Sequence, residues 1–376
     1  MKKILLNKQN GVDLSLTITV IILSLWGTLM VFSAGSAYAE ARYNDGFYFI
    51  KRQLIWLVLG YGVMFFASKI PVELYKKATP PLYALTLFLL VLVLVVGFVG
   101  NGAKRWIAIG PITIQPSEIA KITIIMMLAY YFSKYEELAL SVKKGNAFKY
   151  GTVFPCLIFA VPIILVMLQK HLSCIIILGL IGLSMTVCAG VRLRYISLFC
   201  SLGVGGVAAL ALFTDYTKER ITVWQNPEAY KLTGGWQTLQ GLMAIGSGGI
   251  FGVGFGNSVM KHCYVSEPAN DMIFAILCEE TGFVGAILTL SLFLILILRG
   301  IKISLNSADV YSRLVAFGIS AKMAIQALLN IAVVTNTIPN TGISLPFFSY
   351  GGSSLLMMFF EMGLLLSISR KAKILK

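Results

Sequence analysis

Charge is what this 376-residue chain has least of. Asp, Glu, Lys and Arg make up 12% of it, where a soluble domain carries about 25%. That scarcity excludes a disordered chain and an ordinary water-soluble enzyme. Cysteine is sparse and unpaired in pattern. Of Cys156, Cys174, Cys188, Cys200, Cys263 and Cys278, all but Cys263 fall in or beside apolar runs, which excludes a disulfide-stapled scaffold. Histidine is nearly absent. His171 and His262 are the two, and with cysteines so scattered they cannot build a zinc site. Acid is the scarcer sign of charge: 16 Asp plus Glu stand against 31 Lys plus Arg, for a net charge of +15.

What fills the chain instead is apolar sequence, 57% of all residues. Many runs reach the ~20 apolar residues that a bilayer core requires. Lipid offers the backbone no hydrogen-bond partner, so such runs form helices, and the short alternating segments of a barrel are missing. The expectation is an all-α polytopic membrane protein, one integral domain over 1–376. Ten spans are expected near 14–35, 53–69, 81–100, 113–132, 150–168, 172–190, 195–214, 271–298, 312–335 and 345–369. The amino terminus mimics a signal peptide, with Lys2 and Lys3 before an apolar run and Ala37-Tyr38-Ala39 after it. The run is long for a signal core and reads as an uncleaved first span. With both termini cytoplasmic, inner segments hold about twice as many Lys and Arg as outer ones. The large segment of about 215–270, between spans seven and eight, is then extracytoplasmic. Its Gly-rich, half-apolar stretch 241–256 suits a re-entrant or interfacial path better than a solvated loop.

Charges within spans cost about 2.5–3.5 kcal/mol each on insertion scales, so each needs a partner or a task. Glu118 and Lys121, at i and i+3 near the start of the fourth span, form either a neutralising ion pair or an anion site near the outer interface. Glu280 and Lys322 lie at similar depth in spans eight and nine, and the expectation is a buried pair. Glu361 reads as structural. Asp271 stands where the chain re-enters the membrane. It is either a helix N-cap or a partly desolvated carboxylate able to act as a general base. Arg52, Lys104, Arg105, Lys121 and Arg220 are candidates to converge on the outer face, where cations suit a diphosphate or anionic lipid headgroups. Leu345-Pro-Phe-Phe-Ser-Tyr-Gly-Gly-Ser-Ser354 opens the tenth span. Its small residues, Ser349 and Ser353 among them, permit close packing or line a cavity with hydroxyls.

Five motifs in order resemble one family: Asn101-Gly-Ala-Lys-Arg-Trp106, Gln115-Pro-Ser-Glu-Ile-Ala-Lys121, Ala244-Ile-Gly-Ser-Gly-Gly-Ile-Phe-Gly252, Asn270-Asp-Met-Ile-Phe-Ala275 and the serine-rich run to Ser354. Together they resemble the SEDS proteins (shape, elongation, division, sporulation), closer to the division and sporulation branch than to the elongation branch. The resemblance implies a peptidoglycan glycosyltransferase that polymerises lipid II, inverting at the anomeric carbon, on the outer face of the bacterial cytoplasmic membrane. It implies Asp271 as the essential acid. It places Arg52, Arg105 and Lys121 on the diphosphate, with Glu118, Arg220, Ser349 and Ser353 as further substrate-binding candidates. The implied partner is a class B penicillin-binding protein, a transpeptidase; no nucleic acid is involved. A divalent cation (Mg or Mn) could assist, without a dedicated cage of ligands. The chain departs from the family where a Pro-Asp pair is usual and Lys170-His171 stands instead. It also carries Ala269 where a polar residue is usual. The alternatives are a flippase for the lipid-linked precursor and a non-catalytic scaffold for the transpeptidase.

Overall fold

The computed structural model describes residues 11–100, 103–110, 112–141, 144–192, 194, 197 and 215–372. The described residues are almost entirely helical, and long apolar helices pack side by side.

Helix α1 (Leu14–Tyr43) starts under Asp13, whose carboxylate accepts from the Leu16 amide, and stops at Asn44 in the left-handed conformation. Helix α2 (Tyr48–Lys69) and α3 (Val72–Val96) follow, then α4 (Pro116–Ala139), which opens on a proline as a first turn tolerates. Short α5 (Lys144–Phe148) runs through one π-helical turn into α6 (Phe154–Leu168), and α7 (Leu172–Cys188) turns back against it. After α8 (Asp215–Gln225) and α9 (Trp236–Ser247) come three long elements: α10 (Ile273–Leu305), α11 (Val310–Val334) and α12 (Gly352–Ser369). The closest packing is α12 along α2. Small residues permit it: a Cβ at Gly363 would meet the Met64 carbonyl oxygen at 2.6 Å, and one at Gly60 would overlap the Phe359 ring.

Seven helices among the described residues are long and apolar enough to cross a membrane. Helix α4 is long enough but carries Glu118 and Lys121, and α7 is a shorter apolar helix of 17 residues. The expected span 195–214 lies almost wholly outside the described residues. Leu, Ile, Val and Phe side chains are exposed along α1, α2, α3 and α10, as on helices that face lipid.

Three boundaries differ from the sequence reading. The third helix begins at Val72, not 81, because Pro80 and Pro81 lie inside it. There Thr79 holds the Tyr75 carbonyl (2.8 Å) and the Tyr311 hydroxyl (2.9 Å) across to α11. Three short strands form an antiparallel meander, β1 (Phe98–Gly100), β2 (Ala103–Ile109) and β3 (Ile112–Ile114), in place of span ends. Phe98 faces Trp106, and Ile107 faces Ile114. The last helix begins at Gly352, and residues 345–351 are a folded turn with Phe347 at φ 65°.

The Gly-rich stretch does not sit apart from the bundle. Helix α10 is broken at Gly282 (φ 66°, ψ −165°), a conformation that demands glycine. The neighbouring backbone fills the break. Val253 and Gly254 amides donate to the Glu279 and Glu280 carbonyls (2.9 and 3.1 Å), while Phe283 and Val284 amides donate to Gly249 and Ile250 (2.9 and 3.1 Å).

Three buried ion pairs stand among the described residues, Lys121–Glu118, Lys261–Glu280 and Lys322–Glu361, and none is the expected Lys322–Glu280 pair. Lys322 on α11 reaches both Glu361 oxygens on α12 at 2.8 and 2.7 Å, and both residues are 0% exposed. Glu280 instead accepts from Lys261 at 3.0 Å and from Ser33 on α1 at 2.6 Å. Glu279 accepts from the Val259 amide at 2.9 Å and the Ser258 hydroxyl at 2.5 Å. The sequence reading paired residues by depth alone. It could not see that the loop carrying Lys261 folds back onto α10.

Candidate active site

Asp271 immediately precedes α10, and the helix cap is Met272, with no side-chain capping bond. The carboxylate is therefore not used as an N-cap. It is partly buried, and its own carbonyl accepts from Asn330 of α11 at 2.9 Å, which fixes the backbone. Its two oxygens receive only long bonds from Gln237 of α9, 3.4 Å each. Burial, and the charge of Glu267, push its pKa up to about 6, against the Gln237 bonds and the nearby Arg220 guanidinium, which lower it. A carboxylate tuned there is ionised at neutral pH and basic enough to take a proton.

Arg220 of α8 donates to the Asn340 carbonyl, and Asn340 in turn donates to Gln237 at 3.2 Å. Arg220, Asn340 and Gln237 border a cavity of about 300 Å³ lined also by Glu219, Trp224 and Thr238, and Gln237 links them to Asp271. Trp224 donates to Asn336 at 2.9 Å and holds α8 over the end of α11.

Two further cations, Lys121 and Arg105, lie near segment 340–344 through other contacts. Lys121 pairs with Glu118 at 2.7 Å, both buried, and lies 3.5 Å from Gln326, which donates to the Ser344 carbonyl and hydroxyl, 3.1 Å each. Glu118 also accepts from Ser354 at 3.2 Å. Arg105, on β2, donates to the Lys170 carbonyl at 2.5 Å. Ser173 donates to the Thr341 carbonyl, and Cys174 contacts the Ser117 carbonyl at 4.0 Å. His171 is held well below its ordinary value, to about 3, by burial and by the charges of Arg105 and Lys121, against Glu118.

Segment 340–344 thus touches both groups. Asn340 meets the Arg220 side, a Cβ at Gly342 would lie 3.7 Å from an Asp271 oxygen, and Ile343 accepts from Asn330 at 2.6 Å. Arg52 stands elsewhere. It is exposed, donates to the Tyr48 hydroxyl, lies 4.0 Å over that ring and hydrogen-bonds Tyr350. Tyr350 donates its amide to Ala269 at 2.8 Å, so Arg52 reaches the Asp271 loop through one aromatic residue.

Ser349 is buried. It accepts from the Leu345 amide and donates to the Asn270 carbonyl, 2.7 Å each, which ties the pre-α12 turn to the residue beside Asp271. Ser353 is half-buried on the first turn of α12, and its neighbour Ser354 is the hydroxyl that reaches Glu118. Gln237, Asn330 and Asn340 were missed. Nothing in their local sequence marks them, since they matter only because distant elements meet. Among the described residues no three His, Cys, Asp or Glu side chains gather as a metal-binding group.

Relatives match over nearly the whole chain. The sequence profile described as FtsW/RodA/SpoVE, cell cycle protein, matches residues 13–374. Stage V sporulation protein E of Bacillus subtilis is 39% identical, covering 97% of this chain and 99% of that protein. The probable peptidoglycan glycosyltransferase FtsW of Geobacter sulfurreducens is 36% identical, covering 96% of each. One solved relative comes from work on the structural coordination of polymerization and crosslinking by a peptidoglycan synthase complex. It superposes with a TM-score of 0.79 at 26% identity, covering 96% of this chain and 98% of that one. The rod shape determining protein RodA of Thermus thermophilus superposes with a TM-score of 0.70 at 26% identity, covering 96% and 98%. The chain belongs to the FtsW/RodA/SpoVE family, the SEDS proteins.

Proposed function

We propose that this protein is a peptidoglycan glycosyltransferase that polymerises lipid II on the outer face of the cytoplasmic membrane, with Asp271 as general base. It would act in division or sporulation, beside a class B transpeptidase. Ten spans with cytoplasmic termini would put segment 215–270 and the site outside. The observation that carries the reading is the state of Asp271: partly buried, loosely held by Gln237 at 3.4 Å, and raised to about 6.

The chemistry follows from the charges. A sugar hydroxyl of one lipid-linked chain attacks the anomeric carbon of another. Its proton passes to the Asp271 carboxylate as the new C–O bond forms. The bond to the diphosphate breaks on the opposite face, which inverts the centre. The diphosphate leaves with the electron pair, and cations stabilise it without an acid. Arg105, Lys121 and Arg220 lie near segment 340–344. Exposed Arg52 adds a cation at the rim. Ser349 and Glu118 position these groups rather than meeting substrate, since both are fully engaged within the protein. Ser353 on the α12 turn is the hydroxyl left to face substrate.

The flippase reading draws on Lys322 as a relay. Lys322 is instead paired with Glu361, both 0% exposed, which favours a brace over a relay. The test is gel analysis of glycan made from labelled lipid II by the purified protein with candidate transpeptidases. Asp271→Ala is expected to make none. Native-rate polymerisation by that variant defeats the mechanism.

A further inference from the structure

The sequence singles out His171, and the proposed chemistry leaves it without a task. The turn that carries it, between α6 and α7, collects polar atoms that have no partner. His171 Nδ1, Arg105 Nε, Ser117 Oγ and Thr341 Oγ1 are all buried and make no hydrogen bond. Each is tied to this turn by a contact of its own residue. Arg105 donates its other nitrogen to Lys170, Ser173 donates to the Thr341 carbonyl, and Cys174 contacts the Ser117 carbonyl. Ser117 is 0% exposed, and His171, Arg105 and Thr341 are partly open at the rim. Buried polar atoms are normally paired, and four orphans on residues tied to one turn call for a ligand.

The ligand is an anion. Helices α4 and α7 both begin here, under Gln115 and His171, and neither has a side-chain cap. Two uncapped N-termini present free amides and the positive ends of two dipoles to one spot. Arg105 adds a guanidinium and Lys121 an ammonium, and Glu118 is the one acid that faces the imidazole. Cys174 of α7 lies in the same group. An acceptor-only group with several oxygens satisfies all four orphans at once, and a diphosphate is such a group.

We propose that this turn seats the diphosphate of the lipid-linked donor, and that His171 is a positioning residue that takes up a proton from solvent as the anion docks. The inference rests on the glycosyltransferase reading for the identity of the donor. Burial first, and then the charges of Arg105 and Lys121, keep the imidazole neutral in the protein alone. A bound diphosphate reverses the local field, the ring charges, and Nδ1 becomes a donor to phosphate oxygen. The free value of about 3 then rises toward the ordinary histidine value of about 6.5 or above. By linkage, affinity for the donor falls as pH climbs through the bound-state value, by up to about tenfold per pH unit.

The chain has two histidines, so ring labelling resolves His171 directly. Purified protein with 15N-labelled histidine is titrated with inorganic pyrophosphate and with farnesyl diphosphate near pH 6. One ring signal, the one missing in His171→Gln, should move from the neutral to the imidazolium pattern on saturation. A His171 ring that stays neutral with either probe bound, or no binding of either probe, overturns the inference. In polymerisation assays, the KM for lipid II of the wild type should rise with pH, and His171→Gln should flatten that rise. A KM slope unchanged in His171→Gln also overturns it. If no partner yields glycan, the glycosyltransferase reading fails on that ground, and the ring signal still decides the pyrophosphate seat.

Discussion

Two clusters of buried polar groups in this protein use the same residue types in opposite ways. At Lys322–Glu361 and at Lys261–Glu280–Ser33, acids and ammonium groups meet one another at 2.6–3.0 Å. Around Arg105, Ser117, His171 and Thr341, and around Asp271, groups of equal polarity are orphaned or held at 3.4 Å. The first kind braces helices against one another. The second leaves hydrogen-bonding capacity unspent, and an unmade buried bond costs about 1–3 kcal/mol. A fold keeps such a cost where a ligand removes it. Unspent bonding capacity sets the groups around His171 and Asp271 apart from the two braces, while Lys121–Glu118 beside them is itself paired at 2.7 Å.

The largest effect expected falls on Asp271. Asp271→Asn should lower polymerisation by about 10²–10⁴-fold, the range for losing a general base, with little change in thermal stability. A stability loss with activity retained would move Asp271 to the structural class. Next, Glu361→Ala should destabilise the protein by about 3–5 kcal/mol, since it leaves Lys322 charged and alone, and purified yield and melting temperature report it. The paired change Lys322→Met with Glu361→Leu should restore most of that stability and leave polymerisation intact. Ser349→Ala should be milder. It frees the Leu345 amide and the Asn270 carbonyl beside Asp271, and the kcat should fall more than the melting temperature does.

The subtlest prediction concerns pH. Asp271 must be ionised to accept a proton, so activity should fall on acidification through about 6. Gln237 and Arg220 both hold that value down. Gln237→Leu should therefore shift the acidic limb of kcat to higher pH, and a limb that stays in place would show that Gln237 does not tune the base. The histidine effect runs the other way and appears in KM, so the two titrations separate in one profile.

The helical membrane character was legible because lipid forces long apolar runs, and those runs hardly need a context to be read. Asp271, Glu118 and Lys121 were legible because a charge at a membrane boundary stands out in a chain with so few. Partners were not. The Lys322–Glu280 expectation failed because depth along a span says nothing about which helices are neighbours. The β meander was hidden because Pro80 and Pro81 read as the start of a span, which pushed the expected helix over residues 98–100. Gln237, Asn330 and Asn340 are ordinary polar residues until three separate elements bring them to one carboxylate.

The break in α10 at Gly282 ties two distant functions together. Segment 249–254 completes the backbone ladder of the helix that follows Asp271. A protein leaning on that segment would be pulling at rungs of the same rod that begins beside Asp271. Pressure from a neighbouring subunit would therefore be felt at the reaction centre without any side chain having to relay it.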